Sequence, residues 1–356
     1  MSPERPPGSG PILAVDGGNS KVDVALVATD GTLLGAIRGG TISHQAGPLS
    51  AGVERLSSLV GAVRAEGGSR LAGASSRRGA SIDGPFGQTI YCLAGADYPS
   101  DIRLLRAAFD AAVPTASSLV LNDTFAALRA GSTRPWGIAL ICGQGINGAA
   151  VAPNGRRVRF AGVGDISGDW GGGTSIGQAG LGAAVRARDG RGPRTELERT
   201  IPAAVGLRRP DDVTRAYYDG RLDEARIGDL APTVFATAAG GDPIARGIVD
   251  HLADELAGMA AALARRTGLT RRDPEVVLAG GIFKTDDAAF HAGLADRIRA
   301  TIPEARIVRL AAPPVLGAAL IGLDRLNGGL RDPAVQTRLR AAIEAWSATA
   351  SVVTSS

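Results

Sequence analysis

Lysine is almost missing from this sequence: Lys21 and Lys284 are the only two, although lysine and arginine together number 39. The basic side chains are therefore nearly all arginine, and against 35 acidic residues they leave a net charge of only +4. No dense basic run with interleaved aromatics occurs, and aromatics make up just 4% of the chain, so nothing supports nucleic-acid binding. Cysteine is equally scarce. Cys92 and Cys142 each lie inside an apolar run, where a reduced core thiol is expected, and no metal-ligand spacing surrounds them. No apolar stretch is long enough to span a bilayer. Met1 to Gly10 are polar and rich in proline and glycine, unlike a signal peptide, so a cytoplasmic location is expected.

Glycine, by contrast, is abundant, at 50 of 356 residues, and much of it falls in short clusters behind apolar runs. The length favours two domains. Ile12 to Val15 reads as a strand, followed by the loop Asp16-Gly17-Gly18-Asn19-Ser20-Lys21, a strand from Val22, the turn Asp30-Gly31 and a strand from Leu33 to Arg38. The plan returns with strand Gly137–Cys142, loop Gly143-Gln144-Gly145, strand Ile146–Ala152, turn Pro153-Asn154-Gly155 and strand Arg157–Phe160. Two such units predict two related lobes, each offering a glycine loop to one ligand. Helices are predicted over Pro48–Ala65, Pro99–Ala111, Phe125–Ala130, Thr174–Arg188, Asp211–Tyr218, Asp242–Thr267, Val315–Leu323 and Asp332–Trp346. Strands Thr89–Ala94, Ser118–Leu121 and Val276–Leu278 complete the pattern.

An acidic residue at a strand end beside glycine amides suits a hydrated Mg²⁺ and a phosphate, because glycine lets the backbone come close to the anion. Asp16 is the metal candidate, and Gly17, Gly18, Asn19, Ser20 and Lys21 are the first phosphate candidates. A plain hairpin turn is the alternative for this loop taken alone. Gly143, Gln144 and Gly145, then Gly280 and Gly281, each follow a short apolar strand in the same way, where ligands gather in α/β folds. Neither the Walker spacing nor the dinucleotide fingerprint is present.

These loops resemble the phosphate and adenosine motifs of the actin-like kinases. Asn122-Asp123, Gly143-x-Gly145-x-Asn147 and Gly164 followed by Gly168-Asp169 narrow the resemblance to the group holding the N-acetylglucosamine kinases and the BadF/BadG-type ATPases. It runs from about Ile12 to Leu323. The fold it implies is two actin-like (ribonuclease H-like) α/β lobes with mixed sheets flanking a nucleotide and sugar cleft. The expected lobes are residues 1–133 and 134–330, with a helix over 331–347 packing back on the first and a flexible tail over 348–356. The implied activity is transfer of the γ-phosphoryl group of ATP, with Mg²⁺, to a hydroxyl of an amino sugar. N-acetylglucosamine and its 6-hydroxyl are the first choice.

By the same resemblance Asp123 is the catalytic base, although an N-cap role for the following helix is the alternative. Gly280 and Gly281 hold adenosine. Ser43, His44, Asp97, Asn147, Gly164 and Asp169 are sugar-site residues, with His44 equally readable as a surface loop histidine. Four departures stand out. Gln144 replaces a small hydroxyl residue, Trp170 replaces the glutamate of a Gly-Asp-Glu-Gly segment, and Ser43 and Val163 replace Asn and Trp. Trp170 reads as core or as a sugar-stacking surface. The alternatives to a kinase are a BadF-type activator ATPase, which needs cysteine thiolates for an iron–sulfur cluster, and a non-catalytic sugar-sensing regulator. The implied partners are ATP and a small sugar, with a homodimer left open and neither nucleic acid nor membrane expected.

Overall fold

The computed structural model describes residues 8, 10–73, 84–326 and 332–352. The chain divides into two compact units, Met1–Pro135 with Leu310–Ser356, and Trp136–Arg309.

The first unit is built on β1 (Ile12–Gly17), β2 (Lys21–Val27), β3 (Leu33–Gly40), α1 (Leu49–Gly73), β4 (Gln88–Leu93), α2 (Pro99–Ala112), β5 (Ser118–Asn122) and α3 (Thr124–Gly131). Its five strands lie in the order β3-β2-β1-β4-β5. The meander β1–β2–β3 is antiparallel, whereas β1, β4 and β5 run parallel. The parallel strands are nearly continuous apolar runs because helices cover both faces. Leu13, Val15, Val22, Val24 and Leu26 meet the Leu56, Leu59, Val60 and Val63 stripe of α1 in one core.

The second unit repeats this topology. It contains β6 (Gly137–Cys142), β7 (Ile146–Val151), β8 (Arg157–Arg159), α4 (Gly172–Arg188), α5 (Leu197–Ala204), α6 (Pro210–Tyr218), α7 (Glu224–Gly228), α8 (Ala231–Ala239), α9 (Pro243–Thr267), β9 (Glu275–Ala279), α10 (Ala288–Thr301) and β10 (Arg306–Arg309). The sheet order is β10-β9-β6-β7-β8, again an antiparallel meander joined to parallel strands. The repeat expected from the glycine loops is therefore a repeat of structure. Helix α9 begins at Asp242, whose carboxylate accepts from the amides of Ile244 (3.0 Å) and Ala245 (2.8 Å), and it ends at Gly268 in the left-handed conformation. Its buried face, including Leu252, Leu256 and Leu263, joins the core of this unit.

The chain then returns to the first unit through α11 (Val315–Arg325) and α12 (Pro333–Thr349). Helix α11 was expected in the second lobe but packs on β1, β4 and α3. The reason is its small-residue face: a Cβ on Gly317 would lie 1.9 Å from the Ala126 carbonyl oxygen, so only glycine lets α11 approach α3 this closely. Buried Arg129 of α3 locks the pair with two bonds to Asp324, at 2.6 and 3.1 Å. Helix α12 packs on the same unit, with Gln336 donating to the Ser132 carbonyl (3.0 Å) and Arg340 to that of Ala130 (2.6 Å). The expected tail does not start at 348, since α12 continues to Thr349 and the Ala350 carbonyl accepts from Arg38 at 3.4 Å. Residues 353–356 of that tail lie outside the described residues.

Candidate functional site

In the first unit the candidate residues collect at the carboxyl ends of the parallel strands. The Ala94 amide donates to the Gly17 carbonyl (2.7 Å) and the Asp123 amide to that of Leu93 (3.3 Å), so the ends of β1, β4 and β5 form one edge. Asp16 and Asp123 both sit there. The loop between β1 and β2 closes through the Gly18 amide on the Lys21 carbonyl (2.9 Å), and Thr41 donates to the Gly18 carbonyl (2.8 Å). Asn19 and Ser20 are exposed at its tip.

Asp16 retains some solvent-exposed surface, but the crowding around its carboxyl decides its charge. Burial pushes that carboxyl well above the usual carboxylate range. The charges of Asp123 and Asp23 push the same way, while Lys21 and Arg38 oppose them. Asp23 and Arg38 were not singled out in the sequence. The strand register pairs Asp16 with Asp23 and Asp23 with Arg38, which makes a row of charge across three strands. Arg38 grips fully buried Asp23 through two bonds of 2.7 and 2.9 Å, and the Lys21 ammonium adds a third at 3.1 Å. Lys21, read as a phosphate ligand, is thus turned toward Asp23 here. A buried Asp inside the apolar run Val22 to Val27 was the available signal.

Asp123 stands at the N-cap position of α3 with helical φ and ψ of −58° and −24°, and its side chain makes no capping hydrogen bond. The Asn122 side chain serves that turn instead, accepting from the Thr124 amide (3.1 Å) and hydroxyl (2.7 Å). Its amide group donates to Asp97 (3.0 Å), and Gln45 reaches the other Asp97 oxygen at 3.4 Å. Asp97 is therefore joined to the segment carrying Ser43 and His44. Ser43 is buried, its hydroxyl accepting from the Gln45 amide (3.2 Å). The His44 Nδ1 is buried with no hydrogen-bond partner. An unpartnered polar atom in that position is costly unless a ligand meets it.

In the second unit the glycine loops also meet. Gly280 has φ +114°, and a Cβ there would lie 2.2 Å from the Cys142 carbonyl, so the loop behind β9 closes directly on the end of β6. Burial pushes the Cys142 thiol up to about 12. The carbonyls of Gly143 and Gln144 accept from the amides of Gly173 (2.8 Å) and Thr174 (3.0 Å), tying the loop to the first turn of α4. Gln144 finds room through a distant glycine. Its side-chain oxygen lies where a Cβ on Gly228 would come within 2.3 Å, so Gly228 makes the niche that the longer side chain fills. Beside Gly281 a cavity of about 490 Å³ is lined by Pro232, Phe235, Ala236, Ile282 and Lys284. Another, of about 480 Å³, lies against α4 and α6 and is lined by none of the expected site residues.

The remaining candidates lie around β7 and the segment before α4. The Asn147 side-chain oxygen accepts from the Gly148 amide at 2.7 Å, and its amide group packs over Gly162. The Asp169 amide donates to the Gly164 carbonyl (3.2 Å), and its buried carboxylate accepts from the Ser167 hydroxyl. Trp170 is partly buried against the core.

Among the described residues no three His, Cys, Asp or Glu side chains converge as a metal-ligand set. Mg²⁺ does not require one, because it usually keeps several waters and takes one or two carboxylates plus substrate phosphates. Asp16, crowded by two other carboxylates, fits that requirement.

Two mixed five-stranded sheets of the same topology, each with a glycine loop inside its meander, define an actin-like α/β protein. The model of the BadF/BadG/BcrA/BcrD ATPase family matches residues 13–322, and the chain belongs to that family. It is 28% identical over 207 residues to an N-acetyl-D-glucosamine kinase from Dictyostelium discoideum, covering 57% of this chain and 64% of that one. It is 26% identical over 232 residues to an N-acetylmuramic acid/N-acetylglucosamine kinase from Clostridium acetobutylicum, covering 64% of this chain and 74% of that one. A crystal structure from Chromobacterium violaceum, provisionally named an N-acetylglucosamine kinase, superposes with a TM-score of 0.62 at 23% identity, covering 88% of this chain and 98% of that one. That likeness shows the fold.

Proposed function

We propose that this chain is a cytoplasmic ATP-dependent sugar kinase that phosphorylates a hydroxyl of an amino sugar, with the 6-hydroxyl of N-acetylglucosamine as the leading acceptor. The observation that carries the reading is the placement of Asp123. It lies at the same strand edge as Asp16, close enough for its charge to raise the Asp16 pKa, and its side chain is not used as a helix cap. The names of the two curated relatives support the substrate class.

Phosphoryl transfer is mainly positioning and charge stabilisation. In this reading Asp123 accepts the proton of the attacking hydroxyl. The amides around Gly17, Gly18 and Gly143 to Gly145 cradle the phosphates, and the base lies near Gly280 and Gly281, where the cavity beside Phe235 offers an apolar wall. Mg²⁺, held through water by Asp16, would neutralise charge on the β- and γ-phosphates. Asp97, His44, Asn147 and Asp169 supply polar contacts to the sugar. The orphaned His44 Nδ1 supports this assignment, because a sugar hydroxyl would satisfy it. An activator ATPase working through an iron–sulfur cluster is disfavoured, since Cys92 and Cys142 are both buried in strands.

The test is an ADP-release screen of the full chain with Mg-ATP over N-acetylglucosamine, glucosamine, N-acetylmannosamine, N-acetylmuramic acid and glucose. Turnover of an amino sugar is expected. ATP hydrolysis that no sugar stimulates would overturn the kinase reading.

A further inference from the structure

The segment that carries Asp169 is built from unusually free backbone. Gly162, Gly164, Gly168, Gly171 and Gly172 all have positive φ, and the only regular element there is a short turn of helix at Gly164–Ser167. Most of its apolar side chains do not anchor it. Ile166 is 91% exposed and Val163 44% exposed. Trp170, next to Asp169, is the exception, packed against the core of the second unit.

The Trp170 ring lies against His251 of α9, with ring centroids 4.2 Å apart and planes inclined by 41°. The next α9 residue, Leu252, closes on Gly171, where a Cβ would meet its methyl at 2.9 Å. Helix α9 thus grips two successive residues of the segment. It is suited to the task, being 25 residues long, capped at both ends and buried along one face. His251 is otherwise unexplained. Its side chain is 51% exposed, and its polar neighbour is Glu255 one turn on, at 3.9 Å.

We propose that His251 is a positioning residue. Its ring, in tilted contact with Trp170, clamps the glycine-rich segment so that the Asp169 carboxylate is presented in one orientation to a hydroxyl-bearing ligand. The proposal rests on the reading of Asp169 as a sugar-site residue. Histidine suits the place because its ring packs on the indole while the side chain stays half exposed. The glutamate usual at position 170 in the resembling kinases offers no ring, so the clamp belongs to this chain's own Trp170.

The test compares the full-length protein with His251→Ala and His251→Phe. Hydrogen exchange of the 164–172 amides is read without ligand, and KM and kcat are read with the sugar found by the ADP-release screen. An aromatic pair of ordinary strength corresponds to a change of about 3- to 10-fold. His251→Ala should speed exchange in that segment and raise the sugar KM by that factor, with kcat within about twofold of wild type. His251→Phe should restore both. Unchanged exchange in His251→Ala would overturn the clamp, and so would failure of the phenylalanine to rescue. Faster exchange with an unchanged KM would overturn its role in presenting Asp169. If the wild-type protein turned over no sugar, the kinase reading would fall, while the exchange data would still decide whether His251 holds the segment.

Discussion

Replacing Asp16 by Asn should make the protein more stable and less active at once. The carboxyl of Asp16 is pushed up first by burial and then by Asp123 and Asp23. A carboxyl whose folded pKa lies above its unfolded value binds its proton more tightly in the native state. Between those two values the native protein holds more protons than the unfolded chain, so stability falls as pH rises. The penalty is absent below the unfolded pKa of about 3.9 and complete above the folded one. Asparagine keeps the shape and removes the charge. The expected gain at neutral pH is about 0.5–2 kcal/mol, typical when a strained functional group is relieved. For a domain of this size that is about 2–4 °C in Tm for each kcal/mol. The assay is thermal unfolding of both proteins from pH 4 to pH 8, without nucleotide and with chelator present. The Tm difference should be near zero at pH 4 and widen as pH rises. A variant less stable than wild type at pH 8, or a difference independent of pH, would refute the reasoning. In the same preparation, Mg-dependent turnover should be lost.

Asp123→Asn should leave stability within about 0.5 kcal/mol of wild type, because no capping bond is lost. It should lower kcat by about 10²–10⁴-fold if Asp123 is the general base, and a near-normal kcat with the identified sugar would return it to a structural role. Gly317→Ala should destabilise the first unit by about 1–3 kcal/mol or more, since its Cβ meets backbone of α3 at 1.9 Å; chemical denaturation reads this directly. The methyl of Gly228→Ala meets first the movable end of Gln144, at 2.3 Å, with the Thr174 backbone nitrogen no closer than 3.3 Å. The substitution should therefore change Tm little while raising the KM for ATP several-fold, and steady-state kinetics with ATP varied would check it.

The glycine loops were legible because each combines two local signals, a short apolar run and a glycine cluster directly behind it. The long helix α9 was legible from its apolar period, with Leu252, Leu256 and Leu263 on one face. Helix α6 was read, as Asp211–Tyr218, but α5, α7 and α8 were missed. They are short, and α5 even contains Pro202, so their helicity comes from packing more than from propensity. Helix α10 left a fainter trace, the narrow stripe Phe290, Leu294 and Ile298. The partnership of Gln144 with Gly228 could not be read, because it joins a β6–β7 loop to the end of α7 through the fold. The role of Asp123 was ambiguous in the sequence for a similar reason. Asn122 and Asp123 are both good caps, and only the structure shows that the Asn122 side chain serves the turn while the Asp123 side chain makes no capping bond.

The row Arg38–Asp23–Asp16 shows how the two levels connect. Its members lie on three consecutive strands, and the Gly18–Ser20 loop and the turn at Asp30-Gly31 fix the two registers that set them side by side. A buried carboxylate and a partly buried one side by side would repel each other strongly where the local dielectric is low. Arg38 makes the arrangement tenable by pairing with Asp23, which leaves Asp16 as the carboxylate whose pKa is raised. Arg38 is in turn held from outside the meander. Its guanidinium lies 5.4 Å from the Trp346 ring centroid and donates to Ser347 at 3.3 Å, both on α12. The family match stops at residue 322, before α12 begins. The helix that steadies the charge balance beside Asp16 therefore lies beyond the segment by which the family is recognised, and no family motif in the sequence pointed to it.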